Sequence, residues 1–182
     1  MAGRKNEDRL RNAIEENCLD VMLLQQPLIG EDLRFVSGSF RIVSDLTHID
    51  GMTRDIAFLV EEIPAKAAKK LAGEFTEMSE CAAAMVEQAG AAFAAADVEG
   101  AQRVVEEDNR VNELYDEVEG KLVELIRAGK SSAQYLPELL MVAKYFERIG
   151  DLAKRVAAWA IFRVTGEHVV AEKASQQRPA ED

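Results

Sequence analysis

The feature that most constrains the fold is an apolar stripe with helical spacing in residues 144–157. Apolar side chains recur there every three or four positions, at Phe146, Ile149, Ala153, Val156 and Ala157. This is the pattern of a helix that buries one face. Glu147 and Asp151 lie four residues apart and would stack on one side of that helix, where two charged carboxylates repel each other unless a cation lies between them. The stretch therefore predicts a buried helix that carries an acidic pair.

Four other segments carry the same spacing. We predict helices over about 5–25, 32–62, 65–96 and 98–128, followed by the helix of the acidic pair, which begins near Ser131 and ends near Thr165. Only four prolines interrupt the chain, and no segment shows the alternating pattern of a strand. The sequence thus predicts an all-α protein.

Composition excludes several classes of function. The chain has 182 residues and a formal net charge of −11, and such an acidic surface does not favour nucleic acid as a partner. No apolar run approaches the length of a membrane span, so we expect no direct membrane insertion. The N-terminus has no apolar signal-peptide core, which makes a cytoplasmic protein the default. Cys18 and Cys81 lie in apolar helical patterns and are expected to be core residues.

The chain contains an internal repeat. Residues 32–57 align with residues 132–157 without a gap, and apolar positions coincide along the alignment. Ile49 matches Ile149, and Met52 matches Leu152. The helix before each segment fits the same plan, and the second unit has one further preceding helix, at 65–96.

Three short stretches resemble the PhoU family of phosphate-uptake regulators. Glu147-Arg148-Ile149-Gly150-Asp151 resembles the family signature. Gln25-Gln26-Pro27, followed by Asp32-Leu33-Arg34, resembles the family's turn into the signature helix of its first repeat. The second unit of the chain also resembles the family at residues 106–112. They occur in the expected order and spacing, and the resemblance covers about residues 4–166.

The resemblance implies tandem three-helix bundles related by pseudo-symmetry. We accordingly expect a first repeat over 1–63, a second repeat over 64–166 and a flexible tail over 167–182. Only five of six helices are recognised, so the first bundle is expected to lack its first helix. Its remaining helix pair would expose an apolar face, which the second bundle or another chain would cover.

The resemblance also implies a function. Family members are cytoplasmic, usually dimeric, negative regulators of the phosphate starvation response. They act between the ATPase-driven phosphate ABC transporter and a membrane sensor histidine kinase. We therefore expect a homodimeric docking protein without catalysis.

Some family members bind metal clusters through an E/D-x-x-x-D motif, which implies a metal site at Glu147 and Asp151. Asp108, on the preceding helix, is the best additional ligand, and iron, manganese, zinc and magnesium remain equally open because all accept carboxylates. The other interpretation is a charged helix face neutralised by Arg148, Lys154 or Arg155. Arg148 and Arg34 are expected either to form ion pairs within the bundle or to contact a partner.

The first repeat departs from the motif. Thr47 and Gly51 stand where the family has a glutamate and an aspartate, so only His48 and Asp50 could supply replacement ligands there. We therefore expect the second bundle to hold any metal.

The alternative function is a carboxylate-bridged helical-bundle metalloenzyme or metal-storage protein. Such proteins place glutamates on several helices together with Glu-x-x-His motifs. The sequence contains no Glu-x-x-His string and no glycine-rich phosphate loop, so the regulatory class is preferred.

Overall fold

The computed structural model describes residues 2–128 and 134–169, and these residues form six helices. The helices are α1 (Ala2–Leu24), α2 (Gly30–Glu62), α3 (Ala65–Ala68), α4 (Ala72–Ala95), α5 (Val98–Arg127) and α6 (Leu136–Thr165). No strand occurs within the described ranges. The expected all-α class is therefore confirmed for that part of the chain. The expected flexible tail lies outside it from residue 170 onward.

Two of the predicted helices have the expected limits, since α2 and α5 begin and end within two residues of the predicted positions. Asp97 explains the start of α5, because its Oδ1 accepts a hydrogen bond from the backbone N–H of Gly100 at 2.9 Å. A side-chain cap of this kind satisfies a backbone donor that the first turn leaves free. The predicted start of the last helix, near residue 131, lies outside the described residues, and α6 is described from Leu136.

The prediction of one continuous helix over 65–96 was wrong. The chain forms the short helix α3, turns at residues 69–71, and begins α4 at Ala72. Leu71 has a φ of −114° and is completely buried. The turn therefore places Leu71 in the core, and burial of a leucine side chain outweighs the few helical hydrogen bonds lost at the turn.

The centre of the molecule is α6, which packs against α2, α4 and α5, while α1 packs mainly on α2. Alanines line much of the buried surface of α6, and four of them are completely buried: Ala143, Ala153, Ala157 and Ala160. Small side chains allow neighbouring helices to approach closely. Larger side chains of α4 and α5 fill the core around α6, among them Met78, Met85, Val111 and Leu114.

Helices α2 and α6 run in opposite directions where they meet. Arg34 reaches the carbonyl of Arg163 near one end of the pair, and Ile49 packs in one cluster with Ile149 further along. Met52 and Leu152 join that cluster. Positions that the repeat alignment equates therefore meet at the crossing, as expected for two helices related by a two-fold axis.

The clusters that contain residues of α6 also bury Ile42 and Ile49, so α6 covers part of the apolar face of α2. Leu10 and Ile14 of α1 remain exposed. The absence of a first helix from the first bundle stays a prediction.

Gly38 marks a close approach between α2 and α4. A Cβ added there would lie 3.0 Å from Cε2 of Phe93 and 3.7 Å from Cε3 of Trp159. Phe93 is buried and stacks on Phe35 with ring centroids 5.4 Å apart, so its ring has little room to move. By contrast, a Cβ at Gly51 in the same helix would meet nothing within 4 Å.

Replacing these two glycines by alanine should change the stability of the protein in opposite directions. Gly38→Ala should lower the free energy of unfolding by about 1–3 kcal/mol, because it overpacks the core. Gly51→Ala should raise it by up to about 1 kcal/mol, because alanine favours helix. Urea unfolding followed by circular dichroism would measure both. A stabilised Gly38→Ala variant would contradict the close packing described above.

Candidate functional site

The structure brings together the three predicted metal ligands. Asp108 of α5 is 1 % exposed, Glu147 of α6 is half-buried, and Asp151 is exposed one turn further along α6. Asp108 faces α6 at Gly150, where an added Cβ would lie 3.5 Å from Oδ1 of Asp108. We call Asp108, Glu147 and Asp151 the acidic cluster.

Partial burial of Asp151 raises the pKa of its carboxyl, and the negative charges of Glu147 and then Asp108 raise it further. The positive charges of Lys154 and Lys144 partly offset this increase in pKa. The three carboxylates are therefore close enough to repel one another, and two lysines share their surroundings.

These two lysines offset part of the negative charge of the acidic cluster. The Nζ atom of Lys154 lies 2.8 Å from Oδ2 of Asp108, and that oxygen also accepts from Nδ2 of Asn112 at 3.3 Å. The Nζ atom of Lys144 lies 2.7 Å from Oε1 of Glu147. The second oxygens, Oδ1 of Asp108 and Oε2 of Glu147, are buried and have no hydrogen-bond donor in the described structure.

As placed, these side chains do not fit a metal ion. Across residues 2–128 and 134–169, no three histidine, cysteine, aspartate or glutamate side chains converge closely enough to hold one. Metal binding by Glu147, Asp151 and Asp108 therefore stays a prediction. The charged-face interpretation proposes Arg148, Lys154 or Arg155 as partners of Glu147 and Asp151. Among the described residues, however, Glu147 pairs with Lys144, and Lys154 and Arg155 pair with Asp108 and Asp45.

An ion pair that the sequence did not reveal joins α2 to α6. Asp45 is 5 % exposed, and Arg155 donates to both of its carboxylate oxygens, with Nε 2.8 Å from Oδ2. The planar guanidinium suits this two-pronged contact. The two residues lie 110 positions apart, so no local pattern could have paired them.

The first-repeat positions do not form a site. Thr47 donates its hydroxyl to the carbonyl of Val43 at 2.8 Å, and Asp50 pairs with Arg54. His48 is exposed. It projects from a different side of α2 than Asp50 does, because side chains two positions apart on a helix point about 200° apart. The structure therefore does not bring the two suggested replacement ligands together.

Arg34 binds backbone carbonyls at the end of α6. Its Nε lies 2.8 Å from the carbonyl oxygen of Arg163, and its Nη2 lies 3.2 Å from that of Val164. Arg163 in turn donates to the carbonyls of Phe93 and Ala94 at the end of α4. Cationic side chains at these positions satisfy free carbonyls and the negative end of each helix dipole.

Arg148 is exposed on α6 and forms no ion pair with another described residue. The predicted contact of Arg148 with a partner stays a prediction.

Together, the fold and these sites define a helical-bundle protein whose buried acids are neutralised by bases on neighbouring helices. None of the helices in the described ranges is long and apolar enough to cross a membrane.

Comparison with known proteins supports the resemblance. The PhoU domain family matches residues 75–160. A phosphate-specific transport system accessory protein PhoU homolog from Aquifex aeolicus is 34 % identical over 166 residues, covering 89 % of this chain and 73 % of that protein. The Clostridium acetobutylicum homolog is 28 % identical over 162 residues, covering 89 % and 74 %. The chain therefore belongs to the PhoU family, and the family assignment is confirmed.

Solved structures confirm the fold. PhoU from Streptococcus pneumoniae superposes with a TM-score of 0.80 at 21 % identity, covering 91 % of this chain and 77 % of that one. PhoU from Pseudomonas aeruginosa gives a TM-score of 0.70 at 24 % identity, covering 90 % and 78 %. Members of the family are accessory regulatory proteins rather than enzymes, so the metalloenzyme alternative is set aside.

Asp151 provides a pH test of the acidic cluster. An unfolded aspartate has a pKa of about 3.9, and the folded value is raised. Between those values the folded chain binds more protons than the unfolded chain, so its stability falls as the pH rises through this window. Asp151→Asn removes the ionisation, so the variant should be more stable than wild type at pH 7. This difference in the free energy of unfolding should disappear at a pH below the pKa of the unfolded aspartate.

Urea unfolding of both proteins across this pH range would measure the effect, which should be small because Asp151 reaches solvent. Asp116→Asn, at an exposed position of α5, is the matched control and should show no such gap. A wild type more stable than Asp151→Asn at pH 7 would contradict the proposed repulsion.

Proposed function

We propose that this protein is a negative regulator of the phosphate starvation response. It docks in the cytoplasm on the ATPase of a phosphate ABC transporter and on a membrane sensor histidine kinase. The observation that carries the proposal is the match to relatives named phosphate-specific transport system accessory proteins, which extends over most of both chains.

The charge of the chain suggests how docking works. The exposed side of α5 carries eight acidic side chains: Glu99, Glu106, Glu107, Glu113, Asp116, Glu117, Glu119 and Glu124. A surface of this sign attracts a basic partner and steers its approach. Docking needs neither a metal ion nor catalysis, and the phosphate signal enters through the membrane partners.

A binding measurement with the purified transporter ATPase tests the proposal. We expect direct association, with an affinity that falls steeply as salt rises, because screening weakens attraction between exposed charges. Glu106→Lys combined with Glu107→Lys should weaken binding further, since it reverses two charges on the exposed side of α5.

Glu61→Lys combined with Glu62→Lys makes the same change of charge at the end of α2 and serves as the control. If the two double variants lost the same affinity for the ATPase, α5 would be ruled out as the docking surface. A lack of association at low salt, with or without phosphate, would overturn the proposed function.

We also propose that the protein forms a homodimer through α1. Leu10 and Ile14 are 52 % and 40 % exposed, and four-residue spacing places them on one side of the helix. Removing such side chains from water favours association of two copies.

Light scattering at several protein concentrations would measure this association. Leu10→Asp combined with Ile14→Asp should shift the protein to monomer, because two charges would have to be buried in the interface. Leu19→Asp is the matched control, since Leu19 is 51 % exposed but lies nine residues, and thus half a circle, from Leu10. A wild type that is monomeric at every concentration would contradict the dimer.

A further inference from the structure

The ammonium group of Lys154 occupies the place that a cation would take on Asp108. Asp108 is 1 % exposed, and among the described residues the Lys154 Nζ atom, 2.8 Å from Oδ2, is the only charged group that touches its carboxylate. Asn112 adds a neutral donor to the same oxygen. Burying a charged carboxylate costs free energy unless a positive group pairs with it. In this chain that group is part of α6.

The lysines satisfy only half of each carboxylate. Oδ1 of Asp108 and Oε2 of Glu147 are buried without a donor, although each residue binds a lysine through its other oxygen. A point-like ammonium group reaches one oxygen at a time, whereas a hard divalent cation coordinates several carboxylate oxygens. The acidic cluster thus has the ligand chemistry of a cation site while its cations are lysines.

The net charge of the acidic cluster and the exposure of Lys154 to water determine whether a lysine or a divalent ion binds Asp108. The three carboxylates and the two ammonium groups of Lys144 and Lys154 sum to one negative charge, and Arg155, which pairs with Asp45, also acts on Asp151. A divalent ion that entered beside both lysines would meet their repulsion at close range. The Lys154 side chain is 23 % exposed, so its ammonium group can turn toward water if a stronger cation displaces it. A divalent ion and the Lys154 ammonium group can therefore compete for the carboxylate of Asp108.

We propose that Lys154 is the built-in counter-ion of Asp108 and excludes divalent cations from the acidic cluster. The bundle then folds and keeps its shape without metal, and Asp108 becomes open to a divalent cation when the ammonium group is removed. This inference goes beyond the proposed docking function and does not depend on it.

Titration of chelator-treated protein with Mn²⁺, followed by calorimetry, tests the proposal. Lys154→Gln removes the charge and keeps a neutral hydrogen-bond donor on a side chain one atom shorter. We expect it to bind one Mn²⁺ per chain at least about tenfold more tightly than wild type, because the ion no longer competes with a charge-assisted hydrogen bond. Asp108→Asn in the Lys154→Gln background should abolish the gain.

Two control variants separate the local effect from a general change of charge. Lys121→Gln removes one positive charge from another lysine–glutamate pair, with Glu74, and should bind Mn²⁺ as wild type does. Lys154→Arg keeps the charge and should also match wild type. Equal affinity of Lys154→Gln and wild type, or a gain that survives Asp108→Asn, would overturn the proposal.

The folding of Lys154→Gln is itself informative, because the variant leaves Asp108 without a cation. Circular dichroism with and without Mn²⁺ would follow it. Recovery of helical signal or of thermal stability on addition of Mn²⁺ supports the proposal. A variant that is unfolded under both conditions would overturn it, because Mn²⁺ would then fail to replace the ammonium group.

Discussion

The burial of α6 on three sides is the constraint on which the rest of the structure depends. A helix with neighbours on three sides must present small or apolar side chains around most of its circumference. Ala153 and Ala157 are small and completely buried, and Gly150 lets α6 lie directly against Asp108 of α5. Any charged group held in such contacts loses its water, so it must find a partner of opposite sign within the bundle.

Two consecutive residues of α6 supply these partners. Lys154 reaches Asp108 on α5, and Arg155 reaches Asp45 on α2. Neighbouring residues point about 100° apart on a helix, so one step of the chain connects α6 to two different helices. Because an ion pair is sensitive to a shift of a few ångströms, these contacts select one register for α2 and α5 among those that apolar packing alone would permit. The buried acids thus have a structural role, whereas the exposed acids of α5 remain available to a partner.

Much of the fold could be predicted from the sequence, and part of the site could not. Apolar spacing located α2 and α5 almost to the residue. It failed at Leu71, because a buried leucine at the end of a short helix has the same local pattern as one inside a long helix. The Lys144–Glu147 contact, three residues apart, follows from helix geometry and could have been read from the sequence. The partner of Asp45 could not, since many bases were at a comparable distance along the chain.

By itself, the sequence determined the class of structure: an all-α protein, the limits of α2 and α5, and a place among the PhoU regulators. Periodicity carries the information on the helices because the side chains of one helix obey one geometry, whereas the family came from short motifs. Only the tertiary structure decided which neighbour each buried face meets, and hence that the acidic cluster around Glu147 and Asp151 shares its surroundings with Lys144 and Lys154. That choice depends on how helices distant in sequence pack together, and no spacing within a single helix records it.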